Sequence, residues 1–255
     1  DLFQRLCRQL SEEAAPVRAL AAGVARLDVA WSLAETAAAR GWTRPRLDHS
    51  DVLELREARH PIVEAALETG AFVPNDLSLR SDGDQILLIT GPNMAGKSTY
   101  LRQTALIVLL AQIGAFVPAA EARIGLTDRI FARVGAQDDL AAGQSTFMVE
   151  MLETAAILAA ATPRSLLILD EIGRGTSTYD GLAIAQAVVE HLAGDPLSGP
   201  RTLFATHFHE MMALAGSFSR VVNATVAVAE THGESGGDAG SRDTVSADTA
   251  TGKIE

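Results

Sequence analysis

A glycine-rich segment, Gly91-Pro-Asn-Met-Ala-Gly96-Lys97-Ser98, has the residue types and spacing that bind a nucleotide phosphate. It follows an apolar run and precedes a helical pattern, which is the context that this motif needs. Glycines let backbone N–H groups approach phosphate oxygens, and the helix N-terminus adds positive potential. We expect Lys97 to reach the β- and γ-phosphates and Ser98 to ligate Mg²⁺. The predicted ATP-binding residues are Gly91, Pro92, Asn93, Met94, Ala95, Gly96, Lys97, Ser98 and Thr99.

The lysine of this segment is itself informative. Lys97 and Lys253 are the two lysines of the chain, and the other basic side chains are arginines. Arg carries a broad planar fork, whereas Lys carries a compact point charge on a thin stem. Lys97 therefore indicates a site in which Arg would not fit. The alternative for the whole segment is an ordinary glycine-rich turn, which the correct strand, spacing and helix argue against.

Two adjacent carboxylates, Asp170 and Glu171, end a second apolar run at Leu166 to Leu169. Open parallel sheets bind ligands beyond the carboxyl ends of their strands. We expect Asp170 to complete the Mg²⁺ shell and Glu171 to orient or deprotonate the attacking water. Without the glycine-rich segment upstream, a strand that ends in a solvated acidic turn would explain the pattern equally well.

A histidine, His207, follows Thr206 at the end of a third apolar run. From that place it could reach the γ-phosphate or the attacking water, and we predict a catalytic role for it beside Glu171 and Lys97. A purely structural histidine is the alternative. His209 and Glu210 lie next to it, but a zinc site would need more ligands at suitable spacing.

Apolar runs alternate with helical patterns along most of the chain, which predicts a mostly parallel sheet with helices on both faces, the α/β class. A helical seam with steps of three and four precedes this region and would end near Gly41. Residues 230–252 are small and polar, so burial could not offset their ordering entropy. We predict helices in 1–45, the α/β domain in 46–229 and a disordered insertion with a truncated strand in 230–255, within a fragment of a longer protein. The predicted buried strands are 85–90, 165–170, 202–206 and 221–228, and the predicted helices are 97–116, 147–161 and 182–193. An alternating strand is predicted at 52–56, a further candidate strand at 130–134, and short strands and turns in 57–85.

Composition restricts the functional classes. The formal net charge of -11 makes the chain a poor nonspecific nucleic-acid binder, because such binding depends on neutralising phosphates. A single cysteine, Cys7, excludes an intrachain disulfide framework and a multi-cysteine metal site. Neither a membrane-spanning apolar run nor a signal peptide is recognisable, which favours a cytoplasmic protein with no membrane partner.

Four strings in order, GPNMAGKSTYLRQTA, STFMVEM, DEIGRGTSTYDG and FATHFHE, resemble the ATPase domain of the MutS family of DNA mismatch-repair proteins. The likeness extends over residues 1 to 228. Residues 1–45 are similar to the end of that family's long core helices, and the segment at 58–61 also matches. The resemblance implies a P-loop NTPase fold of the ABC-ATPase type, with Mg²⁺-dependent hydrolysis of ATP.

The same resemblance implies a dimer with two composite ATP sites. Ser145 matches the residue that contacts the γ-phosphate held by the opposite subunit, and residues 173–180 match a loop that crosses the interface. A helix start after Ser145 also has N–H groups free for an anion. His207 matches a switch histidine, and Phe72 and Val73 fall where the family places apolar residues against adenine.

The implied partners are a second MutS subunit through the ATPase face, mismatched double-stranded DNA through domains outside this sequence, and a downstream repair factor such as MutL. A nucleoid-associated location in the cytoplasm would follow. Two other functions are open. A transporter-type ABC ATPase is disfavoured because the LSGGQ signature is missing, and a non-catalytic nucleotide-binding scaffold is disfavoured by the intact pair Asp170 and Glu171.

Overall fold

The structure is a computed structural model, and it describes residues 1–68, 70–92, 96–135, 146–194, 199–229 and 244–248. The chain divides into two compact units, Asp1–Trp42 and Thr43–Glu255. The first unit consists of helix α1 (Leu2–Glu12) and helix α2 (Ala14–Arg40). Gly41 ends α2 in a left-handed conformation with φ 60°, as the sequence predicts, because glycine adopts positive φ at little cost.

The second unit contains two sheets. Strands β1 (Arg46–Asp48), β2 (Leu53–Ala58), β3 (Asn75–Leu79) and β5 (Glu121–Gly125) form a four-stranded sheet in the order β1-β5-β2-β3. Its β2 pairs are antiparallel, and β1 runs parallel to β5. The six-stranded sheet has the order β10-β9-β4-β8-β7-β6. Its strands are β4 (Ile86–Thr90), β6 (Ile130–Arg133), β7 (Leu166–Asp170), β8 (Arg201–Ala205), β9 (Val221–Ala229) and β10 (Thr244–Asp248).

All neighbouring pairs from β9 to β6 are parallel, and only the edge pair of β10 with β9 is antiparallel. Every residue of the three central strands β4, β7 and β8 is buried. Continuous apolar runs form such strands because helices or a second sheet cover both faces of a parallel sheet. The predicted α/β class with a parallel sheet is confirmed.

The helices of this unit are short helix α3 (Val63–Ala66), α4 (Lys97–Gln112), α5 (Thr146–Ala160), α6 (Thr178–Ala193) and short helix α7 (Leu214–Ser217), with a 3-10 turn at His209–Ala213. One core layer joins Leu87 and Ile89 of β4 to α4 and the four-stranded sheet. The other joins Ile86 and Leu88 of the same strand to α5, α6 and α7. Alternate residues of β4 thus serve opposite faces, as strand geometry requires.

Arg201 connects the two sheets from a fully buried position in β8. Its guanidinium donates to the carbonyl oxygens of Val52 and Gly125 at 3.3 Å each, beside β2 and β5. It also donates to the Thr127 hydroxyl at 2.8 Å and to the Arg164 carbonyl at 3.3 Å. Burial lowers the pKa of Arg201. Among the described residues its side chain donates to these four oxygens and to no carboxylate, and its Nε has no hydrogen-bond partner.

Two features differ from the sequence-based expectations. The strand predicted at 52–56 is confirmed as β2, but the pairing of the four-stranded sheet was not predicted, because its strands are brief and β2 is interrupted by a bulge between Leu55 and Ala58. Strand β10 lies inside the stretch expected to be disordered, where pairing with β9 supplies backbone hydrogen bonds that composition does not reveal. The rest of residues 230–255 lies outside the described ranges.

Candidate functional site

Three strand ends meet at one edge of the six-stranded sheet, because β8 lies between β4 and β7. Ala205 of β8 is level with Ile89 on one side and with Asp170 on the other. Beyond the strands, the amide of Thr206 donates to the Ile89 carbonyl at 3.0 Å, and the amide of Glu171 donates to the Ala205 carbonyl at 2.9 Å. The glycine-rich segment, the two carboxylates and His207 therefore leave the sheet side by side.

The glycine-rich segment needs glycine at both of its ends. Gly91 has φ 147°, and a Cβ there would lie 3.2 Å from the carbonyl oxygen of Val226 in β9. Gly96 has φ 83° and caps α4, which begins at Lys97 as the sequence predicts. Side chains would strain both positions. Asn93, Met94 and Ala95 lie outside the described residues, so their predicted contacts with phosphate stay predictions.

Lys97 is buried and folds back over its own loop. Its Nζ donates to the Gly91 carbonyl at 2.6 Å and to the Pro92 carbonyl at 3.0 Å. The ammonium therefore lies at the beginning of the segment, next to the first turn of α4, whose N-terminus would face a phosphate. A thin stem with a terminal point charge reaches this position, which agrees with the choice of Lys in an arginine-rich chain.

Asp170 is buried at the end of β7, and its Oδ1 has no hydrogen-bond partner in the described part of the chain. Burial raises the pKa of Asp170, while the Ser98 hydroxyl opposes the rise in pKa. A carboxylate and a hydroxyl are oxygen ligands that suit Mg²⁺, which usually takes one or two protein ligands plus water and phosphate. The described residues hold no cluster of three or more His, Cys, Asp and Glu side chains, so these two oxygens would form the protein part of such a site.

Glu171 occupies a left-handed backbone conformation with φ 54°, which is uncommon for a residue with a Cβ. Its side chain is 19% exposed and forms an ion pair with Arg174 of the following loop. Sequence reasoning did not foresee this pair. The Arg174 guanidinium contacts one oxygen of the Glu171 carboxylate, and that oxygen is then not free to accept a hydrogen bond from water.

His207 lies exposed after β8 and packs on Phe208, with 4.0 Å between the ring centroids. Burial lowers the pKa of His207, and the nearby charges of Glu171, Arg174 and Lys97 also act on that pKa. His207 lies two residues beyond the end of β8, and the Glu171 amide is bonded to the last residue of that strand, so the two residues leave the sheet next to each other. Thr206 is structural, because its Oγ1 accepts a hydrogen bond from the Phe208 amide at 3.0 Å.

The loop after Glu171 packs on two helices through its glycines. A Cβ on Gly173 would lie 2.4 Å from the carbonyl oxygen of Gly181 in α6, and one on Gly175 would lie 3.2 Å from Phe147 in α5. The Gly173 amide donates to the carboxylate of Glu150, a buried residue of α5. Sequence reasoning missed Glu150, although an acidic residue within the apolar string STFMVEM was a usable signal.

The remaining predicted residues are only partly located by the structure. Phe72 and Val73 are half-buried just before β3, and the hydroxyl of Tyr100 in α4 donates to the Asp76 carbonyl at 2.8 Å. That bond brings the start of β3 to the first turns of α4, but contact with adenine stays a prediction. Ser145 lies outside the described residues.

In the part of the chain that the structure describes, no helix is both long enough and apolar enough to cross a membrane.

Comparison with known proteins identifies relatives of this chain. A family model described as MutS domain V matches residues 87–236. The DNA mismatch repair protein MutS of Chloroflexus aurantiacus is 58% identical over 233 residues, which cover 91% of this chain and 24% of that protein. The protein of the same name from Dehalococcoides mccartyi is 57% identical over 233 residues, covering 91% of this chain and 27% of its own length.

A further relative, the DNA mismatch repair protein MutS of Anaeromyxobacter dehalogenans, is 59% identical over 238 residues, covering 90% of this chain and 27% of that protein. This chain therefore spans about a quarter of the length of these relatives. Since the family model covers more than half of the chain and contains all three strand ends described above, the chain belongs to the MutS family.

Proposed function

We propose that this chain is the ATP-binding and ATP-hydrolysing part of a DNA mismatch-repair protein, with a P-loop fold of the ABC-ATPase type. One observation carries the proposal. The carboxyl ends of β4, β7 and β8 bring Lys97, Asp170 and Glu171 to one edge of a parallel sheet, with His207 two residues beyond the end of β8. This is the edge at which open α/β sheets bind ligands.

Phosphate binding would use the start of α4 and its preceding loop. The helix N-terminus and the Lys97 ammonium supply positive charge for the β- and γ-phosphates. Ser98 and Asp170 would hold Mg²⁺, which neutralises charge that develops on the phosphate oxygens. Because Lys97 donates to two carbonyls of its own loop, its ammonium has to move from them toward the phosphate.

Hydrolysis would use the next residues along the same edge. Glu171 accepts a proton from, or orients, the attacking water, and His207 interacts with the γ-phosphate or with that water. For Glu171 to act in this way, its carboxylate has to separate from Arg174. Phe72 and Val73 would pack against the adenine ring.

We further propose that the complete site needs a second subunit. In this arrangement Ser145 of one subunit contacts the γ-phosphate bound by Lys97 of the other. ATP binding would bring the two subunits together and hydrolysis would reset them. Mismatched double-stranded DNA would bind through other parts of the longer protein. A factor such as MutL would respond to the ATP-bound state. The protein would act in the cytoplasm, in association with the nucleoid.

Substitution of Glu171 tests the catalytic assignment in the full-length protein. We expect Glu171→Ala to keep its ATP dissociation constant within about threefold and to lower the single-turnover rate at least about a hundredfold. Glu190→Ala, which removes an exposed carboxylate of α6, is the matched control and should keep both values. A Glu171→Ala protein that hydrolyses ATP at the normal rate would refute the role of this residue.

Mixed dimers test the composite site. Lys97→Ala and Ser145→Ala proteins should each be nearly inactive alone. Mixing them should restore about a quarter of the wild-type rate, because random exchange makes half of the dimers mixed and gives each mixed dimer one intact site. If mixing restores no activity although subunits exchange, Ser145 and Lys97 do not serve one site from opposite subunits.

A further inference from the structure

We infer that Glu150 is a positioning residue for ATP hydrolysis, because it holds the loop that follows Glu171 through the amide of Gly173. The inference rests on the proposed function, since it assigns Glu150 to that reaction. Among the described residues, Glu150 has no hydrogen bond or ion pair with Asp170 or Glu171. Its effect on hydrolysis would therefore pass through the backbone of the loop, to which it is bonded at Gly173.

The carboxylate of Glu150 is placed by interactions on both of its oxygens. It is buried in the first turns of α5, with only 8% of its side chain exposed. One oxygen accepts the hydrogen bond from the Gly173 amide, and the other lies 3.8 Å from the guanidinium of Arg133 at the end of β6. Arg133 is also buried and lies 3.1 Å from Glu153. A buried carboxylate without such partners would be costly, so the position of the acceptor is closely specified.

Gly173 has little freedom to move away from this acceptor. Its backbone has φ 88° and is in direct contact with the backbone of Gly181 in α6. On the other side, Gly175 packs against Phe147, one turn before Glu150 in α5. The loop is therefore held between α5 and α6, and Glu150 supplies the polar contact on the α5 side.

Glu171 depends on this loop for its own orientation. The Glu171 amide is bonded to Ala205 of β8, which fixes the residue on its N-terminal side. On the C-terminal side, the nearest polar anchor of the backbone is Gly173, two residues on. Since Glu171 adopts φ 54°, a conformation that persists only where the surroundings hold it, loss of the Gly173 anchor should let the carboxylate swing away.

Three substitutions of Glu150 test the inference in the full-length protein. Glu150→Ala removes the acceptor, Glu150→Asp withdraws it by one methylene, and Glu150→Gln keeps an oxygen within reach of Gly173. We expect kcat to fall about tenfold to a hundredfold in Glu150→Ala and Glu150→Asp, with KM changed less than about twofold. Glu150→Gln should stay within about threefold of the wild-type kcat. Glu153→Gln, which alters the same Arg133 cluster without touching Gly173, is the control and should keep the wild-type kcat.

Hydrogen exchange of the Gly173 amide gives a readout that does not depend on activity. We expect its protection to fall in Glu150→Ala and Glu150→Asp and to remain in Glu150→Gln and Glu153→Gln. A merely structural role would instead lower the melting temperature and the nucleotide affinity together, without the recovery in Glu150→Gln. If Glu150→Ala does not fold, the comparison of Glu150→Asp with Glu150→Gln decides the question.

Two outcomes would overturn the inference. The first is a folded Glu150→Asp protein with wild-type kcat, and the second is unchanged protection of the Gly173 amide in that protein. Failure of the proposed function has a different signature, because the wild-type protein itself would then bind ATP without hydrolysing it. In that case, lost protection in Glu150→Asp would still confirm the link between α5 and the loop, and retained protection would refute it.

Discussion

Replacement of Arg201 by Met should destabilise the second unit, because the guanidinium joins its two sheets. The change removes four hydrogen bonds, of which three are long at 3.3 Å and one, to Thr127, is 2.8 Å. Two acceptors keep another partner, since the Val52 carbonyl also accepts from the Gly125 amide at 2.7 Å and the Gly125 carbonyl accepts from the Thr127 hydroxyl at 3.3 Å. The loss is therefore smaller than the full value of four charge-assisted bonds.

The magnitude follows from opposing contributions. Hydrogen bonds to a charged group contribute about 1.5–3 kcal/mol each at good geometry, whereas burying an ion costs several kcal/mol that Met does not incur. We expect Arg201→Met to lower the free energy of unfolding by about 2–4 kcal/mol, or the melting temperature by about 6–12 °C. Arg201→Lys should lose roughly half of that free energy, because one ammonium reaches fewer of the four oxygens.

Urea denaturation followed by circular dichroism measures the difference, with Arg80→Met as the control. Arg80 is half-exposed and pairs with Glu54 at 2.8 Å, so its replacement should cost at most about 1 kcal/mol. If Arg201→Met unfolds at the wild-type urea concentration, burial of the guanidinium costs as much as its bonds contribute. The claim that it stabilises the contact between the sheets would then be wrong.

Four further predictions concern the site itself. Lys97→Met should raise the ATP dissociation constant at least about a hundredfold in isothermal titration, because the phosphate loses a buried ammonium; retained affinity would contradict this. Because burial raises the pKa of the metal-free Asp170 carboxyl, protons should compete with Mg²⁺ for it at a higher pH than for an ordinary carboxyl, and the Mg²⁺ concentration that gives half-maximal hydrolysis should rise on acidification. Because the pKa of Asp170 is higher in the folded state than in the unfolded state, its protonation should increase the free energy of unfolding as pH falls through the folded-state pKa. Asp170→Asn should remove this pH dependence in thermal melts recorded at a series of pH values without metal. Arg174→Ala should leave the melting temperature within about 2 °C, since the Arg174 side chain is 63% exposed, and should raise hydrolysis by an unpaired subunit about threefold to tenfold by freeing Glu171. Gly173→Ala should lower the free energy of unfolding by about 2–4 kcal/mol in urea melts, because of its positive φ and the contact with α6; an unchanged midpoint would refute that contact.

The central part of the fold was predictable because its signals are local. Runs of three or four consecutive apolar residues predicted β4, β7 and β8, and each run ended close to the residues that leave the sheet for the site. The start of α4 at Lys97 followed from Gly96. These elements need no knowledge of distant residues, since buried parallel strands and a glycine-capped helix are recognisable from their own sequence.

Long-range contacts were not predictable in the same way. Glu150 and Gly173 are separated by 23 positions along the chain. The ion pair of Glu150 with Arg133 and the hydrogen bonds of Arg201 do not produce a periodic pattern in the sequence. The pairing of the four-stranded sheet was not predicted for the same reason, because β5 pairs with β2 across more than sixty residues. A buried charge shows in a sequence only as a polar residue among apolar ones, which does not identify its partner.

The two hydrogen bonds of Lys97 affect how tightly the proposed site would bind a phosphate and what happens to the lysine when the phosphate leaves. A phosphate that enters the loop competes with the Gly91 and Pro92 carbonyls for the same ammonium. The loop thus contains its own competitor, present at a fixed effective concentration because it is part of the chain. Such competition raises the apparent dissociation constant of the phosphate, because only the fraction of molecules whose lysine is released from the carbonyls can bind it. In the proposed site, the two carbonyls would also accept the ammonium again when the phosphate leaves, so product release would not leave a buried charge unsatisfied.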